Sequence, residues 1–274
     1  MLAQRVATAV ALLVVTASLL FCAPQWLWSS FSALAALAVA WEASQMSGWG
    51  IKGGLAYVAA TAAAIAAMAG LAAAEPAFFR HLAIAGAVAA LAFWLAAVPA
   101  ALRLRPRFEG RIWTALIGWL VALPFWAAMS SLRDALGPWG LLALMAAAWV
   151  ADTGAFFVGR SWGKRKLAPN ISPGKTWEGV WGAAALCVAY AYFALFALGI
   201  PIEPNRIAPI ALGALGACAV TVEGDLFESH FKRVRGVKDS GKALPGHGGV
   251  WDRVDSLAAW LATFAALRFL ILSL

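Results

Sequence analysis

Residues 224–255, GDLFESHFKRVRGVKDSGKALPGHGGVWDRVD, decide how the rest of the chain is read. They carry Asp225, Glu228, Asp239, Asp252 and Asp255 beside Lys232, Arg233, Arg235, Lys238, Lys242 and Arg253, in a chain of 274 residues that is 63% hydrophobic and 12% charged. Ordinary soluble proteins are roughly 45–50% apolar. A mean hydropathy of +0.80 and repeated apolar runs of about 20 residues indicate helices that cross a bilayer. The fold class is therefore an all-α, polytopic integral membrane protein, and the quoted stretch is a polar centre carried by a membrane scaffold.

Working outward, apolar runs place about nine transmembrane helices, near residues 5–22, 25–42, 53–74, 81–102, 112–131, 138–158, 178–199, 207–226 and 252–272. The first is read as a retained helix rather than a cleaved leader, because no small-residue cleavage site follows it. Residues 1–140 form an N-terminal scaffold, and residues 141–274 a C-terminal catalytic region with polar loops at 159–178 and 227–251. Small residues dominate stretches such as Ala59–Ala74 and Ala211–Ala219, so helices approach closely and pack without a hydrophobic driving force. Trp26, Trp28, Trp49, Trp139, Trp177 and Trp251 sit near predicted ends, as interfacial anchors do.

With nine alternating spans, most Lys and Arg residues fall on one face, including all those of both polar loops. Arg80, Arg133, Arg206 and Arg268 fall on the other. Basic residues collect in cytoplasmic loops, which puts the N-terminus and the polar site on the cytoplasmic side. The same rule accounts for the pI near 9.9 without nucleic acid, since no basic tract stands clear of the apolar spans. The basic connector 101–111 reads as an orientation signal. Cys22, Cys187 and Cys218 lie in apolar runs, with no metal-ligand spacing.

The chemistry gathers in the two loops and the span ends beside them. Acids near or inside membrane spans are costly and are functional candidates for that reason; here they are Asp152, Glu178, Glu223, Asp225, Glu228, Asp239, Asp252 and Asp255. Asp225 ends span eight and Asp252 begins span nine, so the loop between them lets the two carboxylates meet. Such a pair, with substrate phosphates, suits Mg²⁺. Asp255 is three residues from Asp252 and acts either as its helper or as a helix-terminal acid. Lys175, Lys232, Arg233 and Lys238 beside these acids point to phosphate handling rather than a cation pathway. Arg235 and Lys242 read equally well as solvated loop residues.

Two turns complete the pattern. Pro245-Gly246-His247-Gly248-Gly249 leads into span nine, where backbone N–H groups can face an anion; His247 is either a ligand there or a turn residue. Ser172-Pro173-Gly174-Lys175-Thr176 ends like a phosphate-binding P-loop, but Pro169 stands where the first glycine belongs and no strand is expected before it. It remains a phosphate-cradling turn with Ser172 and Thr176 as donors.

Ser229-His230-Phe231-Lys232-Arg233, Lys238-Asp239, Pro245-Gly246-His247-Gly248-Gly249-Val250 and Asp252-Arg253-Val254-Asp255, at this spacing, resemble the signature of the phosphatidate cytidylyltransferases. Ile171–Gly179 and Gly224–Ser229 resemble the same family. The likeness covers roughly residues 145–260, while residues 1–140 match in apolar character alone. It implies that CTP and phosphatidate give CDP-diacylglycerol and pyrophosphate with Mg²⁺, in the inner membrane of a bacterium, by a homodimeric enzyme. It implies Asp225 and Asp252 as metal ligands, and leaves open whether a monovalent cation assists. Lys175 and Lys238 join those acids as catalytic candidates; Ser172, Thr176, Ser229, Lys232, Arg233, Asp239, His247 and Arg253 are candidates for substrate binding. Two rivals are a CTP-dependent lipid kinase, which would release CDP, and an ion-coupled transporter using Asp152 and Glu223. A transporter calls for polar features repeated in both halves, and here they lie in the C-terminal half.

Overall fold

The structure, a computed structural model, describes residues 2–108 and 110–273. Glu109 of the basic connector and the side chain of Arg5, a basic residue of the charge count, lie outside the described residues. Every apolar run becomes helix: α1 Leu2–Cys22, α2 Gln25–Met46, α3 Gly50–Ala74, α4 Pro76–Ala92, α5 Val98–Leu104, α6 Arg111–Trp162, α7 Trp177–Ala197, α8 Ile207–Val234 and α9 Trp251–Ser273. A π-helical turn at Phe93–Ala97 joins α4 to α5 and buries Phe93 and Trp94. Among the described residues six helices are long and apolar enough to cross a membrane: Gly50–Ala74, Pro76–Leu104, Arg111–Trp162, Trp177–Ala197, Pro204–Val234 and Trp251–Ser273. The expected nine divide the third of these in two and include α1 and α2.

That division has a local cause. The 52 residues of α6 are interrupted at Gly137, whose φ of 70° and ψ of 175° leave the helical region. Pro138 follows and cannot donate the next helical hydrogen bond. The main core joins Trp28 and Val39 of α2, Val121 and Phe125 of α6, Phe227 and Phe231 of α8, and Leu257 and Leu261 of α9. The buried indole of Trp28 donates to the Met129 carbonyl at 2.8 Å, so the first half of α6 is tied to α2. The second half of α6 packs on α7 through small residues: a Cβ at Gly179 would lie 2.7 Å from the Ala155 carbonyl.

Two elements depart from the sequence reading. The loop at 159–178 contains an antiparallel hairpin, β1 Lys166–Ala168 with β2 Ser172–Thr176. A strand does precede SPGKT, and SPGKT is itself a strand rather than a turn. The actual turn is at residues 169–171, where Ile171 N–H donates to the Ala168 carbonyl at 3.0 Å. Second, α8 runs on to Val234 instead of ending near residue 226, because Leu226, Phe227 and Phe231 continue an apolar helical face that the core buries. It stops at Gly236, with φ 68°: Gly236 N–H donates to Arg233 and Val237 N–H to Lys232, the bonding of a glycine-ended helix. The second polar loop is correspondingly short.

Candidate active site

The crossing of α8 and α9 builds the site. A Cβ at Gly224 would stand 2.8 Å from the Asp255 carbonyl and 2.7 Å from the Ala259 Cβ, so only glycine lets α8 lie this close to α9. Asp225 thereby faces the level of Asp255 and Ser256 rather than that of Asp252, which begins α9 one turn earlier. Glu228, one turn further along α8, comes to the level of Asp252. The polar residues fall into two tiers.

In the first tier Lys175 Nζ lies 2.6 Å from Asp225 Oδ2, with the side chains 20% and 30% exposed. Ser229 donates to Asp225 Oδ1 at 3.3 Å. Ser256 donates to Asp152 Oδ1 at 3.3 Å, and Asp152, Asp225 and Asp255 are electrostatic neighbours. Beside them opens a cavity of about 580 Å³ between α6, the hairpin, α7 and α8, lined by Asp152, Arg160, Lys166, Ser172, Lys175, Thr176 and Asp225 among others. Its volume is that of a typical small-molecule site. Thr176 caps α7, accepting from Gly179 N–H at 3.2 Å. Glu178 accepts from the backbone N–H groups of Lys164 and Arg165 at 3.1–3.2 Å and holds the start of the hairpin against α7. The hairpin thus presents Ser172 and Lys175 from a fixed platform. Arg233 fastens it to α8 through a 3.4 Å bond to the Ile171 carbonyl.

In the second tier Lys232 bridges Glu228 Oε2 at 2.5 Å and Asp252 Oδ1 at 2.6 Å. Asp252 Oδ2 accepts from the N–H groups of Ser240 and Gly249 at 2.9 and 2.8 Å. Both oxygens of Asp252 are therefore engaged, and its side chain is 7% exposed. Asp252 does not line the cavity that Asp225 faces. Among the described residues no three His, Cys, Asp or Glu side chains form a metal-holding group. The glycine turn is ordered by Gly246 and Gly248, with φ of 76° and 81°. Arg253 Nε donates to the His247 carbonyl at 3.0 Å, and His247 Nδ1 is buried without a partner. Lys238 and Asp239 are exposed.

Several basic side chains have roles that sequence reasoning missed. Arg235 is not a free loop residue: it donates to the Phe108 carbonyl at 2.6 Å, and Phe108 packs on Phe227, so the basic connector is docked on α8. Arg160 and Lys166, which in the sequence counted only toward the charge bias of the first polar loop, line the cavity. Glu42 of α2, in the half read as scaffold, is 2% exposed and bonded to the second loop. Its signal was present, because an acid beside Trp41 at the end of an apolar run meets the test applied to Asp152.

The chain matches the cytidylyltransferase family over residues 3–271. It belongs to that family. It is 37% identical over 273 residues to a phosphatidate cytidylyltransferase of Pseudomonas aeruginosa, covering 97% of each chain. Shorter matches to proteins of the same name are 45% identical over 133 residues in Haemophilus influenzae, 48% of this chain and 46% of the relative, and 48% identical over 110 residues in Bacillus subtilis, 39% of each. The match to the Pseudomonas protein extends through α1–α5, so this cytidylyltransferase family member shares its N-terminal helices as well as its signature. Those helices form one body with the site, since α2 packs on both α6 and α9.

Proposed function

We propose that this protein transfers the cytidylyl group of CTP to phosphatidate, releasing pyrophosphate and forming CDP-diacylglycerol, at the cytoplasmic face of a bacterial inner membrane. Membership of the cytidylyltransferase family supports the reaction. The observation that carries the site assignment is the Lys175–Asp225 pair on the wall of a cavity that also presents Arg160 and Lys166. Cations around a carboxylate suit a triphosphate accompanied by a metal, where the protein positions and neutralises rather than forming covalent bonds.

An oxygen of the lipid phosphate attacks the α-phosphorus of CTP in line. The new O–P bond forms as the bond to the β-phosphate oxygen breaks, and pyrophosphate leaves with the electron pair. The attacking phosphate is already ionised at neutral pH, so the site needs no general base. Lys175, Arg160 and Lys166 offset charge on the phosphates, and the capped start of α7 adds its N-terminal dipole. Asp225 on the cavity wall, with Asp152 beside it, would hold Mg²⁺ once Lys175 turns from Asp225 to the phosphates; such a hard cation takes one or two carboxylates and completes its shell with water and phosphate oxygens. When bound, the metal draws charge from the phosphates and helps to hold them in line. Asp252 reaches it only if Lys232 and the loop N–H groups release that carboxylate, so we assign Asp252 first to anchoring the loop.

The test is pyrophosphate release from CTP by the detergent-solubilised protein, with and without phosphatidate and Mg²⁺. Release that depends on both lipid and metal is expected. Release of CDP instead would identify a lipid kinase, and no lipid-dependent product would end the reading.

A further inference from the structure

We propose that Glu42 is a positioning residue: a carboxylate supplied by the N-terminal half that latches the signature loop and sets the start of α9. The inference rests on the reading of the loop as part of the active site, and its test is separable from that reading.

Glu42 Oε1 accepts from Val250 N–H at 2.7 Å, and Oε2 accepts from Trp251 N–H at 2.9 Å and from Ser240 Oγ at 2.7 Å. Trp251 is the first residue of α9 and Val250 the residue just before it, and backbone N–H groups at a helix start have no helical acceptor. Helix caps normally come from the residue just before the helix; this one comes from α2, 208 residues away along the chain. The negative charge also sits at the positive end of the α9 dipole. At 2% exposure the carboxylate is out of reach of bulk water, so its three donors are what make its burial tolerable.

The packing around it leaves no slack. A Cβ at Gly241 would fall 2.7 Å from Glu42 Oε1, and one at Gly249 would collide with Ser240 Oγ and Glu42 Oε2. Ser240 carries the latch onward: its N–H donates to Asp252 Oδ2 at 2.9 Å, and Asp252 is gripped by Lys232. Glu42, Ser240, Asp252, Lys232 and Glu228 thus form one polar chain from α2 through α9 to α8. The loop segment bearing Lys238, Asp239 and His247 is held at both ends by this chain. The hydrogen-bond partners of Glu42 are Ser240, Val250 and Trp251, none of which lines the cavity, so it acts through the loop and not on the phosphates.

The experiment compares wild type with Glu42→Gln in detergent micelles, reading tryptic cleavage after Lys238 and Lys242 together with steady-state kinetics. Glutamine keeps the shape but turns an amide N–H₂ toward a donor, removing about one charge-assisted bond, or roughly tenfold in loop closure. Cleavage is expected to rise about tenfold and kcat to fall by a similar factor, while KM for CTP, set by the cavity that the loop does not line, moves less than about threefold. Glu42→Asp, which keeps the charge on a shorter stem, restores part of both losses. Unchanged cleavage and unchanged kcat in Glu42→Gln overturn the proposal. So does a loss of activity with no change in cleavage. If Glu42→Gln does not fold, Ser240→Ala decides by the same readouts, because it spares the two bonds from Glu42 to the α9 backbone. The cleavage readout needs no turnover, so wild type failing to release pyrophosphate would count against the proposed reaction and not against the latch.

Discussion

Replacing Lys232 with methionine removes the ammonium that Glu228 and Asp252 share. Both carboxylates are nearly out of solvent, at 1% and 7% side-chain exposure, and Lys232 itself is 12% exposed. At 2.5 and 2.6 Å the two ion pairs are at direct hydrogen-bond distance, so methionine leaves two buried acids facing each other. Glu228 is the more deeply buried of the two and loses the most. Breaking a buried pair by removing one partner costs about 3–5 kcal/mol. At roughly 2–4 °C per kcal/mol for a large domain, the melting temperature in detergent should fall by roughly 6–20 °C. The second variant sharpens the result: Glu228→Gln added to Lys232→Met removes one of the stranded charges and should recover about half of the loss. Unfolding followed by tryptophan fluorescence, at matched detergent and lipid, measures both. A Lys232→Met protein that melts within about 1 °C of wild type would refute the buried-triad reasoning, and no recovery in the double variant would refute the assignment of the loss to stranded charge.

The two signature acids should separate in behaviour. Asp225→Asn is expected to lower kcat by about 10²–10³-fold with little change in melting temperature, because Asp225 stands on the cavity wall. Asp252→Asn should lower activity and also melt several degrees earlier, with faster tryptic cutting of the loop, since it loses its Lys232 pair; equal melting for the two variants would contradict the division into tiers. Lys175→Met should reduce kcat/KM for CTP by about 10²-fold, read as pyrophosphate release. A single cysteine at position 242, in a variant lacking Cys22, Cys187 and Cys218, should react with a membrane-impermeant maleimide in inside-out vesicles and not in right-side-out ones; the opposite pattern would reverse the proposed orientation.

Much of the site was legible because its chemistry is local in sequence. The acid–base–glycine spacing of 224–255 and the SPGKT segment single out the two polar segments, and the structure puts one residue of each, Lys175 and Asp225, in contact, while the loop after α8 does not line the cavity. The positions of the helices were legible for an equally local reason: a chain in lipid must satisfy its backbone within each segment, so hydrophobic runs report helices directly. The hairpin at 166–176 was not legible, because its strands are three and five residues long and lie in a polar stretch without alternation. The end of α8 was misplaced because Lys232 and Arg233 look like loop residues, whereas their neighbours Phe227 and Phe231 are core.

The sequence by itself determined the membrane character, the helical segments, the family and the polar loops, all of which depend on composition or on spacing within about 30 residues. The tertiary structure decided which acids share a level and which half of the chain completes the site. Gly224 sets the crossing of α8 on α9, and that crossing gives Asp225 the company of Asp152 and Asp255 while leaving Asp252 to Lys232, Ser240 and Gly249. Glu42 reaches Val250 and Trp251 across 208 and 209 residues of chain. No periodicity encodes such a pairing, because it depends on how α2 packs against α9 and not on any distance along the sequence.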